Sequence, residues 1–357
     1  MTAKAKEIID LRSDTVTLPT EEMLEAIKQA ELGDDVFRED PTVNKLEETA
    51  AKKMGKEAAL LVASGTQANL VSMLTNTRPG DIAILEAESH IYWYEVGGLS
   101  TVAGVLPWPV RGNFGVLSAK NIESAIRPEN IHYPDATVVC VENTHNRAGG
   151  TITTPSKMKE ISKIAKHHNI KVYMDGARIF NAAVAMKKDA REFTQYADNL
   201  MFCLSKGLSC PIGSIVVGNQ EFIEKARKMR KMLGGGMRQA GIIAAPGIIA
   251  LEKMIPRLEE DHRNAKILAK GLSTIKGISV NLQHVQTNIV HFKITDSKAK
   301  AEVFTSKLKE NGLLALPTDK NRIRMVTHRG IERIHIEIAL NIIDAVTTNL
   351  TRENKPD

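Results

Sequence analysis

Short apolar runs alternate with helical patterns through most of the first 250 residues, and no other feature narrows the possible folds as much. The runs are Ala58–Val62, Ile82–Leu85, Ala136–Val141, Ile170–Met174, Asn199–Leu204 and Ser214–Val217. Each is too short for a typical helix and suits a strand covered on both faces. Helices between such strands act as crossovers, so the alternation predicts an α/β fold with a mostly parallel central sheet flanked by helices. Thr20 can cap a helix with Glu21 and Glu22 in its first turn, and Val43, Leu46, Ala50 and Met54 before Gly55 mark another. A helix-rich stretch runs from Gln220 to about Ile275. The pattern then changes to short strands near Ile278–Leu282, Ile289–Phe292 and Ile323–Val326, with helices near Ala299–Glu310 and Ile331–Leu350. With 357 residues the chain exceeds one ordinary domain, so the expected division is a large unit over residues 1–250 and a small C-terminal α+β unit over 251–357.

Two runs end in functional side chains. Asp175 follows Ile170–Met174, and Lys206 comes thirty-one residues later, in a turn after Asn199–Leu204 marked by Ser205 and Gly207. Ligands of open α/β sheets lie beyond the carboxyl ends of the strands, so acid and amine are expected to face one crevice. Either residue alone would read as a cap or a solvated charge. Together they suit pyridoxal phosphate, whose aldehyde needs a lysine and whose ring nitrogen needs a carboxylate. Ser64-Gly65-Thr66 lies where a strand ends and a helix begins, and the exposed amides, the hydroxyls of Ser64 and Thr66 and the helix dipole form an anion site there. A second anion site is expected around Gly234-Gly235-Gly236, which interrupts two helical segments between Lys231 and Arg238; a flexible hinge is the other reading of those glycines.

Composition removes several alternatives. The amino terminus lacks an apolar signal core, and Ala240–Leu251, interrupted by Pro246, falls short of the ~20 residues that cross a bilayer, so a cytoplasmic protein with no membrane partner is expected. Cys140, Cys203 and Cys210 form no CxxC pair, which fits reduced thiols and no structural metal. The net charge of +6 raises the question of nucleic acid, but the bases of residues 225–231 suit an exposed helix face, and 4% aromatic residues offer little stacking surface. An anionic small molecule is the better match to the charge.

The strings LRSDTVT (Leu11–Thr17), DDVFREDPT (Asp34–Thr42), ASGTQANL (Ala63–Leu70), AESHIYWYE (Ala87–Glu95), ENTHN (Glu142–Asn146), DGARIFNA (Asp175–Ala182), LSKGL (Leu204–Leu208) and GGGMRQAG (Gly234–Gly241) together resemble the low-specificity L-threonine aldolases. The resemblance covers the chain to about residue 330. It implies the type I pyridoxal-phosphate fold, an amino acid substrate, and a homotetramer built from dimers with active sites at the subunit interface. It further implies Lys206 as the Schiff-base lysine, Asp175 as the partner of the ring nitrogen, and Gly65 and Thr66 as phosphate ligands. Arg178 and Arg324 match the family's carboxylate-binding positions, with Ser13 adding a hydrogen bond, and an arginine fork suits that task. His90 matches the residue that stacks on the cofactor ring. For the base that takes the β-hydroxyl proton, His90 and His132 both match candidate positions, with His90 preferred; His145 is a third histidine that could instead shape the loop around Glu142.

The chain departs from the family at Phe37 and Arg38, where many members carry tyrosine and glycine, and this predicts low discrimination between L-threonine and L-allo-threonine. Ser209-Cys210 also replaces the usual pair after the lysine segment, an expected change in packing alone. Two rivals remain: β-elimination or racemisation of other amino acids on the same scaffold, and a non-catalytic nucleic-acid-binding protein.

Overall fold

The computed structural model describes residues 8–295 and 300–353. They divide into two compact units, one spanning Leu18–Pro256, the other joining the segment that ends at Thr17 to the segment that begins at Arg257.

The larger unit is built on a seven-stranded sheet whose strands are β1 (Ala58–Val62), β2 (Ile82–Glu86), β3 (Leu106–Val110), β4 (Ala136–Glu142), β5 (Lys171–Asp175), β6 (Asn199–Cys203) and β7 (Ser214–Gly218). Their spatial order is β1-β7-β6-β5-β4-β2-β3. Strands β3, β2, β4, β5 and β6 pair in parallel, and only β7 runs against its neighbours, β1 and β6. The six expected strands all form, each within a residue or so of its expected limits. The seventh, β3, was not expected. It carries Pro107 and Pro109, which cannot donate to a ladder, and it lies at the sheet edge with much of its surface exposed, where proline is tolerated.

The helices end where their residues direct. Thr20 Oγ1 accepts from the amide of Met23 at 3.1 Å. Helix Pro41–Met54 starts from an Asp40 cap, buries Val43, Leu46, Ala50 and Met54, and stops at Gly55, whose φ of +63° is the left-handed conformation glycine adopts freely. The stretch after Gln220 consists of helix Gln220–Met232, a glycine loop, helix Gly241–Ile249, the π-helical segment Ala250–Met254 and helix Leu258–Leu272.

The smaller unit has a four-stranded antiparallel sheet in the order Leu316–Asp319, Arg322–Val326, Ile289–Ile294, Ile278–Val280. Helices Leu258–Leu272, Ala301–Glu310 and Arg333–Glu353 accompany it, and its core includes Leu268, Phe292, Phe304, Ile323 and Ile336. Ala299, the expected start of its middle helix, lies outside the described residues. Ile9–Asp10 pairs in parallel with Leu313–Leu314, so the amino-terminal strand belongs to this unit.

Candidate active site

Strands β4, β5 and β6 end side by side. Glu142 stands opposite Asp175, and Asp175 opposite Met201 in the next strand, so the carboxylates come to one edge of the sheet. Asp175 is buried; its Oδ2 accepts from Asn69 Nδ2 at 2.9 Å and its Oδ1 from the Ala177 amide at 3.1 Å. Lys206 is half-buried in the turn just past β6 at the same edge, and that turn is closed by the Ser209 amide on the Lys206 carbonyl at 2.8 Å. Arg178, also buried, precedes helix Ile179–Met186 directly after Asp175 and Ala177. Strand register thus places Asp175 and the turn of Lys206 at the same end of neighbouring strands.

Asn69 links Asp175 to a second group. Its Nδ2 also donates to Glu95 Oε1 at 2.6 Å, and its Oδ1 accepts from the Tyr173 hydroxyl at 2.6 Å. Glu95 Oε1 in turn lies 2.9 Å from Nδ1 of His90. Ligand atoms of His90, Glu95 and Asp175 all fall within 4.8 Å of one another, and hydrogen bonds engage His90 Nδ1, Glu95 Oε1 and Asp175 Oδ2. Burial works against the imidazolium of His90, but the Glu95 hydrogen bond and the charges of Asp175, Glu95 and Glu142 outweigh it and raise its pKa above 6.5. Glu95 is pushed above its ordinary 4.5, chiefly by burial and then by Asp175, although His90 and Asn69 pull the other way. The pair thus retains a proton more readily than either group would in water. Asn69, Glu95 and Tyr173 were not singled out in the sequence; for Asn69 and Tyr173 a polar side chain inside an otherwise apolar helix or strand was the only signal available, and Glu95, in a loop, gave none.

At the start of helix Gly65–Asn76 the Ser64 hydroxyl accepts the amide of Gln67 at 3.1 Å and the Ser64 carbonyl that of Ala68 at 3.0 Å. The amides of Gly65 and Thr66 are left at the positive end of the helix for an outside acceptor. The glycine loop packs against this turn. A Cβ on Gly235 would fall 2.5 Å from Gln67 Nε2, and one on Gly236 would fall 3.0 Å from Lys231 Nζ. Lys231 and the helix start are thereby brought together. Arg238 is held differently, with Nη1 donating to Asp34 Oδ2 at 3.0 Å on the exposed surface.

His132, His145, Ser13 and Arg324 are the remaining candidates. His132 is in an exposed loop before β4, at the opposite edge of the sheet from Lys206. His145 is buried with both ring nitrogens engaged: Nε2 lies 2.9 Å from Glu86, and Nδ1 accepts from the Ala148 amide at 3.2 Å. That arrangement shapes the loop. Ser13 and Arg324 both belong to the smaller unit, where Arg324 Nη2 donates to the Arg12 carbonyl at 3.1 Å, next to Ser13.

The fold is that of the type I pyridoxal-phosphate enzymes. A solved threonine aldolase from Leishmania major superposes with a TM-score of 0.81 at 18% identity, covering 95% of this chain and 99% of that one. A solved SPT carrying PLP gives 0.78 at 18% identity, over 97% and 89%. The chain belongs to the beta-eliminating lyase family, whose model matches residues 10–295. It is 44% identical over 338 residues to low-specificity L-threonine aldolase 1 of Arabidopsis thaliana, 93% of this chain and 94% of that one. It is 40% identical over 327 residues to the low specificity L-threonine aldolase of Escherichia coli strain K12, 91% and 95%. An alanine racemase of Cochliobolus carbonum is 33% identical over 345 residues, 93% and 86%.

Proposed function

We propose that the protein is a pyridoxal-phosphate-dependent L-threonine aldolase that cleaves L-threonine, L-allo-threonine and related β-hydroxy-α-amino acids to glycine and an aldehyde. The observation that carries this reading is the gathering of Asp175, Lys206 and the Gly65–Asn76 helix start on one sheet, in a chain 40–44% identical to such aldolases across nearly its whole length.

The donor set suits the cofactor. Ser64, Gly65 and Thr66 with Lys231 would hold the phosphate, Asp175 the protonated ring nitrogen, and Lys206 the aldehyde, with Arg238 adding positive charge nearby. A glycine loop that leaves no room for a Cβ beside Gln67 and Lys231 supports the phosphate assignment. When bound, the cofactor supplies an electron sink for the carbanion left when the Cα–Cβ bond breaks. The chain's part is to orient and to move protons. Arg178 would hold the substrate carboxylate and so orient the Cα–Cβ bond, a role that the family resemblance also gives Arg324 and Ser13. His90 would lie against the cofactor and would take the β-hydroxyl proton at Nε2, directly or through water, while Glu95 engages Nδ1. His132 remains the second candidate for that proton. The exposed Phe37, with Arg38 turned into an ion pair with Glu224, supports low discrimination at Cβ.

In our reading the protein is a homo-oligomer, a tetramer of paired dimers, which would cover exposed apolar side chains such as Val96, Trp93 and Phe37, now 96%, 59% and 68% exposed. Among the described residues no helix is long and apolar enough to cross a membrane, and we assign the protein to the cytoplasm. The racemase relative motivates a second reading, interconversion of alanine enantiomers on the same scaffold.

The test is incubation of the purified protein and pyridoxal phosphate with L-threonine, L-allo-threonine, D-threonine and L-alanine, with Lys206→Ala as control. Glycine and acetaldehyde from the L-threonines, lost in the variant, establish the aldolase. Appearance of D-alanine without glycine assigns the racemase, and ammonia with a keto acid assigns elimination.

A further inference from the structure

Tyr173, Asn69, Glu95 and Asp175 are all buried, and together they form a branched hydrogen-bond chain with one donor group at its centre. The side-chain amide of Asn69 has two N–H bonds, and it gives one to each carboxylate, at 2.6 and 2.9 Å. The amide could in principle turn over. Its carbonyl oxygen would then face two buried carboxylates, and the Tyr173 hydroxyl would lose its acceptor. We infer that Asn69, locked by the Tyr173 hydroxyl, is a positioning residue that keeps Glu95 ionised beside Asp175 and so sets how tightly the Glu95–His90 pair holds its proton. Burial, followed by the Asp175 charge, drives the Tyr173 pKa well above its ordinary 10, so this hydroxyl keeps its hydrogen for Asn69.

The charged groups facing Glu95 are His90 and Asp175, with Glu142 acting on His90 from the end of β4. Without the Asn69 donor, ionised Glu95 loses a hydrogen bond it cannot replace from solvent, its affinity for a proton rises, and His90 is deprotonated only at higher pH. The role given to His90 rests on the aldolase reading, whereas the hydrogen-bond bracket itself does not.

The experiment compares wild type with Asn69→Leu, which keeps the volume and removes the donor, in holoenzyme. The first readout is the thermal midpoint from about pH 4.5 to 8. A group whose folded pKa is raised costs stability increasingly as pH rises above its unfolded value. The gap between wild type and variant should therefore be smallest near pH 4.5, the ordinary Glu value, and widen by about 3 °C or more toward pH 8. Loss of packing alone gives a gap that does not change with pH. The second readout is the acidic limb of kcat/KM for threonine cleavage, which should move up by about 1 to 2 pH units. If Asn69→Leu does not fold, Tyr173→Phe takes its place, with shifts in the same direction and of smaller size. A gap independent of pH, or an acidic limb that stays where it is, overturns the inference. If wild type cleaves no threonine while the gap still widens, the aldolase reading and the role in His90 chemistry fail and the bracket around Glu95 stands.

Discussion

Nδ1 of His90 stands 2.9 Å from Oε1 of Glu95, and this pairing fixes which ring nitrogen the carboxylate engages. The carboxylate holds the proton on Nδ1, leaving Nε2 to accept one. Because the His90 pKa is raised, the stability the imidazolium contributes is fully present below 6.5 and is lost as pH rises through the higher folded value. Glu95→Gln removes the anion and lowers that folded pKa. The acidic limb of kcat/KM should then move to lower pH, opposite to the change expected for Asn69→Leu, and a pH-rate profile of the two variants checks both signs. If Glu95→Gln leaves the limb in place, His90 is not the group that titrates there.

The choice between the two histidines has its own outcome. Removing a general base typically costs on the order of 10²- to 10⁴-fold, so His90→Asn should lose that much turnover. His132→Phe should lose less than about tenfold on the same scale, since the residue is exposed before β4 at the far edge of its own sheet. Steady-state kinetics on L-threonine for both variants decides it. The reverse ranking would assign proton transfer to His132 and leave His90 as a stacking residue.

Much of the larger unit is legible in the sequence, for a physical reason. Buried parallel strands demand unbroken apolar runs, and Asp175 and Lys206 follow two such runs, so their common edge could be anticipated from spacing. Strand β3 could not be, because Pro107 and Pro109 argue against a strand except at an edge, and edges are decided by the rest of the sheet. The pairing of Ile9–Asp10 with Leu313–Leu314 joins segments about three hundred residues apart through two residues each, too short to leave a periodic signal. The hydrogen bonds of Asn69, Glu95 and Tyr173 were hidden similarly: each residue looks ordinary in its own helix, loop or strand, and only the packing of three elements makes them a network.

Arg230 and Asp35 form a buried ion pair at 2.6 Å, with Arg230 Nη1 also donating to the Leu61 carbonyl at 2.7 Å. Both side chains are almost wholly out of solvent. Arg230→Leu would leave the Asp35 carboxylate buried with only the more distant Arg227, at 3.8 Å, to offset it. Breaking a buried pair from one side costs about 3 to 5 kcal/mol, so the variant should unfold at markedly lower urea concentration in equilibrium denaturation. An Arg230→Leu/Asp35→Leu double variant should recover much of the loss, since it removes the stranded charge. A single variant as stable as wild type would mean that Asp35 finds another partner.

The glycine loop makes the sharpest separation between binding and folding. A Cβ on Gly235 would lie 2.5 Å from Gln67 Nε2 and 3.1 Å from the Arg230 carbonyl, against the first turn of the helix assigned to the phosphate. Gln67 is itself anchored there, its Oε1 accepting from the Ala63 amide at 2.9 Å, so it cannot yield without disturbing the turn. Gly98, by contrast, would place its Cβ 3.8 Å from Leu70, an ordinary contact. Gly235→Ala should therefore weaken cofactor binding by about tenfold, the equivalent of ~1.4 kcal/mol, while Gly98→Ala leaves it unchanged. Titration of the cofactor-depleted proteins with pyridoxal phosphate, followed by visible absorbance, measures both affinities. Equal affinities would mean that the loop tolerates the methyl group and that the phosphate is held by the helix start without it.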